Sequence, residues 1–452
     1  MKHSQYEKAA AVIDGGQNEM KEILRRLVKI PSVRKDGTAE MPYGPAVAEV
    51  LAEGKKIAEE LGFSAETVEN RWTAVDFQDP ADTALAILGH LDVVPTEGQV
   101  WKYPQFDLTE EGDFLYGRGA LDNKGPTVAA LYAMAAIRAA GIPLKRNVRL
   151  FLGGDEECGG SDVVRYKEVC GLPENVIVPD SSFPAGISER GMIRLSSVIP
   201  TGDTAVRTIK AGAKINVIPA VAEAELVGIG REALEKACAA CPAETEIAEN
   251  AAGLHLTVKG RGGHAAHPGS SCNALTALLE VLAALEPENP CWRALKTAFP
   301  HGVIDGSGLF GRPTGNTLSL TMMTAENGEA VIGADCRTAL NSSAASLLAE
   351  MRERFPYPLE CPRLEEPHVV SPDAPIVSLL QSVYFDHTGR NDPPYAMGAR
   401  TYSQKTEHGV IFGGRLSKDG SGGAHAADEH YVFSTMVAAS RMYADLILRI
   451  CG

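Results

Sequence analysis

Short apolar runs alternate with helical patterns over residues 1–190. Three of these runs end in polar clusters: "ALAILGHLD" (84–92), "NVRLFLGGDEE" (147–157) and "NVIVPDSS" (175–182). Around them, apolar residues recur at helical spacing, as in "NEMKEILRRLVKI" (18–30) and over residues 127–140. Continuously apolar strands separated by helices are typical of a parallel sheet that is covered on both faces. We therefore expect an α/β fold with a mostly parallel mixed sheet flanked by helices.

The pattern changes in the middle of the chain. From residue 191 to 370 the alternation is weaker, Ala, Glu and Gly are more frequent, and no apolar run ends in acidic residues. The earlier pattern returns at "SPDAPIVSLLQSVYFDHTG" (371–389) and continues to the end. This order predicts a catalytic domain formed by residues 1–190 and 371–452, with a large α+β domain inserted at 191–370.

Composition and charge exclude several classes of protein. The 452 residues are 44% hydrophobic and 22% charged, as expected of a soluble globular protein with two or three domains. A net charge of −15 argues against nucleic acid and anionic membranes as partners. Residues 1–33 lack the apolar core of a signal peptide, and no apolar run is long enough to span a membrane. The 9 cysteines, including Cys238 and Cys241, fit reduced structural thiols better than a disulfide framework, so we expect a cytoplasmic protein.

Acidic and imidazole side chains collect where the predicted strands end. They are His90, Asp92, Glu156, Glu157 and Asp180 after the three apolar runs, Asp122 in "YGRGALDNKGP" (116–126), and His425 in "GSGGAHAADEHY" (420–431). Because the carboxyl ends of parallel strands meet in one crevice, we expect these side chains to lie close together. One or two divalent cations would neutralise such a cluster.

The types of ligand indicate which metal would bind. Imidazole and carboxylate groups without thiolates suit catalytic zinc, with manganese or cobalt as substitutes. Five ligands that include one shared carboxylate would hold two ions about 3.5–4 Å apart. Taken singly, His90 could be a loop histidine, Asp122 a helix cap and Asp180 a turn residue. Their joint occurrence at strand ends favours a metal site.

Six stretches together resemble the di-zinc exopeptidases and deacylases of the peptidase M20 family. They are "GHLDVVP", "YGRGALDNKGP", "GGDEECGG", "VPDSS", "GGHAAHP" and "HAADEHY". The resemblance implies the zinc exopeptidase fold, in which the inserted domain is a lid. It assigns His90 and Asp180 to one zinc, Glu157 and His425 to the other, and Asp122 to both.

The resemblance also implies roles for residues beside the metal ligands. Asp92 would orient His90. Glu156 would be the general base that carries a proton from the attacking water to the leaving amine. Asn123 stands where the family usually has an aspartate, which follows the bridging residue across a cis peptide bond.

In the lid, the resemblance implies three residues that contact the substrate. His264 would stabilise the oxyanion of the tetrahedral intermediate, and Asn216 would contact the substrate. Arg337 would bind the free carboxylate of the substrate, a task suited to a guanidinium group. In "GARTYSQKTEHG" (398–409), Gln404 replaces an arginine that related dipeptidases carry, which affects the side-chain preference.

The length of the lid distinguishes between members of the family. About 180 residues is large for a domain, whose usual size is about 100–150, and resembles the peptidase V or Xaa-His dipeptidase type, in which one chain supplies its own oxyanion histidine. We therefore expect a monomer that hydrolyses small unblocked dipeptides with two divalent ions, Zn²⁺ first, Mn²⁺ or Co²⁺ otherwise. The alternatives are an N-acyl amino acid deacylase, of the succinyl-diaminopimelate or acetylornithine type, and a catalytically silent metal-binding or scaffold protein. Glu156 favours an enzyme, because metal binding alone needs no such neighbour.

Overall fold

The computed structural model describes residues 2–239, 241–251 and 253–452. Its helices are, in chain order, α1 Lys2–Gly15, α2 Gln17–Val28, α3 Pro45–Glu60, α4 Lys124–Ala139, α5 Ser161–Cys170, α6 Arg231–Cys238, α7 Ala274–Leu285, α8 Pro290–Ala298, α9 Ser307–Phe310, α10 Ala344–Arg354, α11 Pro375–Thr388 and α12 Phe433–Cys451. Its strands are β1 Ser64–Val68, β2 Trp72–Asp76, β3 Thr83–His90, β4 Thr109–Glu111, β5 Phe114–Tyr116, β6 Asn147–Gly153, β7 Asn175–Val178, β8 Ser181–Ser182, β9 Gly186–Glu189, β10 Met192–Pro200, β11 Val206–Ala211, β12 Val217–Ile218, β13 Val221–Leu226, β14 Glu244–Asn250, β15 Gly253–Lys259, β16 Gly263–His264, β17 Thr317–Glu326, β18 Glu329–Arg337, β19 Glu360–Glu365, β20 His368–Val369, β21 Tyr395–Met397, β22 Val410–Ile411, β23 Gly414–Arg415 and β24 His430–Val432. The chain forms two compact units, one ending at Ser188 and resuming over Val369–Gly452, the other spanning Glu189–His368.

A mixed sheet forms the centre of the first unit. Its strands lie in the order β1-β2-β6-β3-β7-β22-β9-β20, and β21 pairs with β9. The neighbours β6, β3, β7 and β22 are parallel, whereas β1, β2 and β9 pair in the antiparallel sense. The predicted α/β class, with a parallel centre inside a mixed sheet, is confirmed.

Helix α4 lies in the core of the first unit and fixes the start of one functional loop. Its residues from Lys124 to Ile137 are all buried, and many of them are alanines that allow close packing. Gly89 in β3 permits the approach of the helix, because a Cβ atom there would collide with the Thr127 hydroxyl. The amino end of α4 therefore lies beside the carboxyl end of β3, and Asp122 immediately precedes this end.

The second unit contains an antiparallel sheet in the order β14-β15-β13-β11-β17-β18-β10-β19. The alternation in β15 turns Leu254, Leu256 and Val258 into the core. Helix α7 packs against β13, β15 and β17. The unit is thus α+β, as predicted for the inserted segment. Among the helices in the described part of the chain, none is both long and apolar enough to cross a membrane.

Candidate metal centre

Three neighbouring strands of the first unit end beside one another and carry predicted site residues. His90 is the last residue of β3, Asp180 closely follows β7, and Glu156 and Glu157 lie in the loop after β6. Strand β3 pairs in parallel with both β6 and β7. The four side chains therefore start from one edge of the sheet.

Two further loops bring Asp122 and His425 to this edge. Strand β24 pairs with β5 in the antiparallel sense, with His430 opposite Tyr116. This pairing places the loop that carries His425 beside the loop that carries Asp122. A hydrogen bond of 3.0 Å from Gly117 N to the carbonyl of Glu429 joins the two loops.

The five predicted metal ligands form two clusters that share Asp122. In the first cluster, His90 Nε2 lies 3.2 Å from Asp122 Oδ1 and 3.7 Å from Asp180 Oδ2. In the second, His425 Nε2 lies 3.2 Å from Asp122 Oδ2 and 3.0 Å from Glu157 Oε2. The ligand atoms of each cluster lie within 4.8 Å of one another. Asp122 thus presents one oxygen to each cluster.

The state of the donor atoms fits a divalent cation. His90 Nε2 and Glu157 Oε1 are buried without a hydrogen-bond partner, although buried polar atoms normally have one. Both atoms belong to residues of the clusters, so a cation bound there would lie beside atoms that the protein leaves unpaired. Nitrogen and carboxylate oxygen donors are those of catalytic zinc, manganese or cobalt sites.

The electrostatics of the site also call for positive charge. Burial raises the pKa of Glu156 well above its ordinary value, and the nearby Asp180 carboxylate raises it further. Burial likewise raises the pKa of Glu157, and Asp122 adds to this effect. Cations between these carboxylates would favour the ionised forms and reverse both shifts.

Asp92 forms hydrogen bonds with three of the predicted site residues. Its carboxylate accepts the backbone N–H of Glu156 at 3.2 Å through Oδ1 and that of Glu157 at 3.1 Å through Oδ2. His90 Nδ1 donates to the backbone carbonyl of Asp92 at 3.0 Å and lies 3.3 Å from its carboxylate. A single buried residue therefore sets the direction of the imidazole and fixes the backbone of the two glutamates.

Asn123 uses its amide group in a way that an aspartate could not. The peptide bond between Asp122 and Asn123 is cis. The Asn123 Nδ2 group donates to the carbonyl of Pro179 at 2.7 Å and to Asp180 Oδ1 at 3.2 Å. Its Oδ1 accepts the Thr127 hydroxyl at 2.9 Å. This departure from the usual family sequence thus joins the start of α4 to the loop that carries Asp180.

Asp162 supports the loop that carries Glu156 and Glu157, a role that was not predicted from the sequence. Its Oδ2 accepts the backbone N–H groups of Gly154 at 2.8 Å and Asp155 at 3.0 Å, and the Tyr402 hydroxyl donates to the same oxygen. Asp162 lies in the first turn of α5, where an aspartate ordinarily indicates only a helix start. Its position six residues after Glu156 carries no sequence signal of this role.

Glu429 and Arg118 were also missed, although both lie inside quoted motifs. Glu429 Oε1 accepts the backbone N–H groups of Leu121 at 3.0 Å and Asp122 at 2.9 Å. Glu429 Oε2 pairs with Arg118 Nη1 at 2.7 Å, and both side chains are buried. Their presence in "YGRGALDNKGP" and "HAADEHY" is the signal that could have led to them.

The second unit carries the predicted substrate residues. His264 in β16 pairs with Val217 of β12, and the adjacent Asn216 carbonyl accepts the N–H of Ala265 at 2.9 Å, so His264 and Asn216 lie close together. Arg337, the last residue of β18, is buried. Its Nε donates to Asp335 Oδ1 at 2.7 Å, and its Nη2 donates to Asp335 Oδ2 at 3.2 Å. Gln404 belongs to the first unit and lies in a short 3₁₀ helix, Tyr402–Lys405.

Comparison with known proteins identifies the class. The sequence matches Peptidase family M20/M25/M40 over residues 86–449, and the chain belongs to this family. It is thus a hydrolase of peptide bonds, which confirms the predicted family and the predicted kind of enzyme.

Individual relatives resemble the chain along nearly its whole length. Beta-Ala-Xaa dipeptidase of Lactobacillus delbrueckii subsp. lactis is 28% identical over 455 residues, which cover 94% of both sequences. Human carnosine dipeptidase 1 superimposes with a TM-score of 0.63 at 15% identity, covering 98% of both chains. The dipeptidase Dug1p of Saccharomyces cerevisiae gives 0.60 at 14% identity, covering 99% of this chain and 98% of its own. At these identities, the two structures show that the fold is shared.

Proposed function

We propose that this chain is a metal-dependent dipeptidase that hydrolyses the single amide bond of unblocked dipeptides. The observation that carries the proposal is the pair of clusters that share Asp122 through its two carboxylate oxygens. Each cluster has one imidazole and two carboxylates, the donor set of a catalytic rather than a structural metal site. Dipeptidases among the relatives of the chain support the substrate class.

His90 and Asp180 would hold one ion, Glu157 and His425 the other, and Asp122 both. We propose zinc as the ion, with manganese or cobalt as substitutes. When bound, such a pair of ions polarises the scissile carbonyl and makes water nucleophilic at neutral pH.

Glu156 is the proposed general base. Its carboxylate contributes no atom to either ligand cluster, although the residue is adjacent to Glu157. The N–H groups of both glutamates are bonded to Asp92, which fixes the loop between them. Glu156 would take a proton from water and give it to the amine nitrogen as the amide bond breaks.

Residues of the inserted segment have proposed roles in substrate binding. His264 would donate a hydrogen bond to the developing oxyanion, and its neighbour Asn216 would contact the substrate. Arg337 would bind the free carboxylate of the dipeptide. Because Arg337 already pairs with Asp335, the substrate would have to share or replace that partner. The lid assignment of residues 191–370, the monomeric state and the cytoplasmic location stay predictions.

A substrate panel tests the proposal against the deacylase alternative. The protein is freed of metal with a chelator, reloaded separately with Zn²⁺, Mn²⁺ or Co²⁺, and assayed on α-dipeptides and β-Ala-Xaa dipeptides. The same dipeptides with N-acetylated or N-succinylated amino ends, together with N-acetyl and N-succinyl amino acids, form the matched set. We expect metal-dependent hydrolysis of the free dipeptides and little of the acylated compounds. Hydrolysis of the acylated compounds alone would contradict the proposal and favour a deacylase.

A further inference from the structure

The backbone of His425 needs support from outside its own loop. It has a φ of 62°, in the left-handed region that residues other than glycine seldom occupy. The His425 side chain is 57% exposed, so packing of the ring contributes little to its position. Apart from the approach of its Nε2 to Asp122 and Glu157, the position of His425 therefore depends on hydrogen bonds to its backbone.

Gln99 supplies such a hydrogen bond. Its Nε2 donates to the backbone carbonyl of His425 at 2.9 Å. Its Oε1 accepts two hydrogen bonds, from Arg118 Nη2 at 2.7 Å and from Trp101 Nε1 at 3.1 Å. Because Arg and Trp side chains only donate, the amide oxygen must face them and the amide nitrogen must face His425. The orientation of the Gln99 amide is therefore determined by its surroundings.

Arg118 connects Gln99 to the shared ligand Asp122. Through Nη1 it pairs with Glu429, whose other oxygen accepts the backbone N–H of Asp122. A continuous chain of hydrogen bonds thus runs from the carbonyl of His425 through Gln99, Arg118 and Glu429 to the backbone of Asp122. The loops that carry these two residues are thus joined by side chains that belong to neither cluster.

We propose that Gln99 is a positioning residue for His425, and that the network it forms with Arg118 and Glu429 maintains the second metal cluster. This inference rests on the proposed metal-dependent function. The direct contact of Gln99 is with His425, which belongs to the second cluster alone, whereas His90 of the first cluster is held by Asp92. Loss of the Gln99 amide should therefore weaken binding of one ion and leave the other nearly unchanged.

Two substitutions at Gln99 separate the donated bond from the rest of the network. Gln99→Met removes all three hydrogen bonds of the amide. Gln99→Glu keeps the size and still accepts from Arg118 and Trp101, but cannot donate to His425, so it tests the donor even if the methionine variant does not fold. Gln381→Met is the matched control, because Gln381 Nε2 donates to the carbonyl of Asp392 at 2.8 Å, in a loop without predicted ligands.

Metal binding is the main readout. Metal-free protein is titrated with Co²⁺ and followed by its visible absorption, and Zn²⁺ affinity is measured by competition with a chromophoric chelator. We expect wild type and Gln381→Met to bind two ions alike. Both Gln99 variants should bind the first ion normally and the second about 10–100-fold more weakly, the usual cost of losing an outer partner of a ligand. Excess metal should restore kcat in the Gln99 variants without a change in KM.

The outcomes separate the two levels of inference. If wild type binds two ions and Gln99→Glu binds both with the same affinity, the positioning role of Gln99 is wrong while the proposed function stands. Equal weakening of both ions would also overturn the inference, since it predicts a selective effect. A wild-type protein that binds no ion would overturn the proposed function and this inference with it.

Discussion

Replacing each of the two adjacent glutamates by glutamine should produce two different defects. Glu156→Gln leaves every ligand atom of both clusters in place, and the backbone bond from residue 156 to Asp92 does not involve the altered side chain. Glu157→Gln removes the charge of Oε2, which lies 3.0 Å from His425 Nε2. The first variant should lose proton transfer and keep its metal, whereas the second should lose metal.

The magnitudes follow from these roles. Loss of a general base costs about 10²–10⁴ in kcat, or roughly 3–5 kcal/mol of transition-state stabilisation. Glu156→Gln should show this loss at unchanged metal content. Glu157→Gln replaces a proposed carboxylate ligand by a neutral amide, so the affinity for the second ion should fall by more than the roughly 10–100-fold expected for the loss of an outer partner.

Stability of the metal-free protein gives an independent check. Burial and the nearby acids raise the pKa of Glu156 well above its ordinary value, so its ionised form destabilises the native state when pH exceeds its unfolded pKa. At neutral pH, Glu156→Gln removes this penalty and should raise the melting temperature of the metal-free protein. The prediction is tested by three measurements on each variant: metal content by mass spectrometry, kcat, and the melting temperature by calorimetry. A Glu156→Gln enzyme with unchanged kcat, or one that has lost its metal, would refute the assignment of the base.

Three further outcomes are expected. Removing metal with a chelator should abolish dipeptide hydrolysis and lower the melting temperature measured by calorimetry, because bound ions stabilise only the native state; an unchanged melting temperature would count against the site. Asn123→Asp replaces an amide donor by a carboxylate 3.2 Å from Asp180 Oδ1, which should cost the metal-free protein roughly 1–3 kcal/mol in urea unfolding and the metal-loaded protein less; equal losses would contradict this. Burial raises the pKa of Asp445, but hydrogen bonds from His387 and Arg449 outweigh it, so the net pKa is lowered. The stabilisation that ionised Asp445 gives the native state is therefore present above its unfolded pKa near 3.9 and is lost as pH falls through its folded pKa. Asp445→Asn should lower the free energy of unfolding by roughly 1.5–3 kcal/mol at pH 7 and by little at low pH. A difference that does not change with pH would refute the ionic origin.

Two of the proposed ligands that the structure brings together, His90 and Asp180, follow a recognisable local pattern in the sequence. An apolar run that ends in a histidine or acid marks the carboxyl end of a buried strand, as at His90 and Asp180. The apolar helical pattern over residues 127–140 became α4, which starts three residues earlier, at Lys124. These features depend on neighbours within about ten residues, so they can be recognised without knowledge of the fold.

The supporting residues could not be found in the same way, because their partners are distant in the chain. Gln99 bonds to the carbonyl of His425, 326 positions away, and Glu429 bonds to the N–H of Asp122, 307 positions away. The contact between these loops is set by β24, a strand of three residues whose short sequence does not indicate its partner. Only the assembled fold shows that these side chains meet.

Several acidic residues near the site belong to neither cluster, and they share one structural role in the loops that follow the strands. Consecutive backbone N–H groups in such loops have no strand partner, and an unpaired buried N–H is costly. Three fully buried carboxylates that belong to neither cluster each accept two consecutive N–H groups: Asp92 those of residues 156–157, Asp162 those of residues 154–155, and Glu429 those of residues 121–122. A carboxylate suits this task because its oxygens only accept when ionised. The loops that carry the proposed ligands are thus fixed by one set of acids, so that a second set can bind metal as proposed.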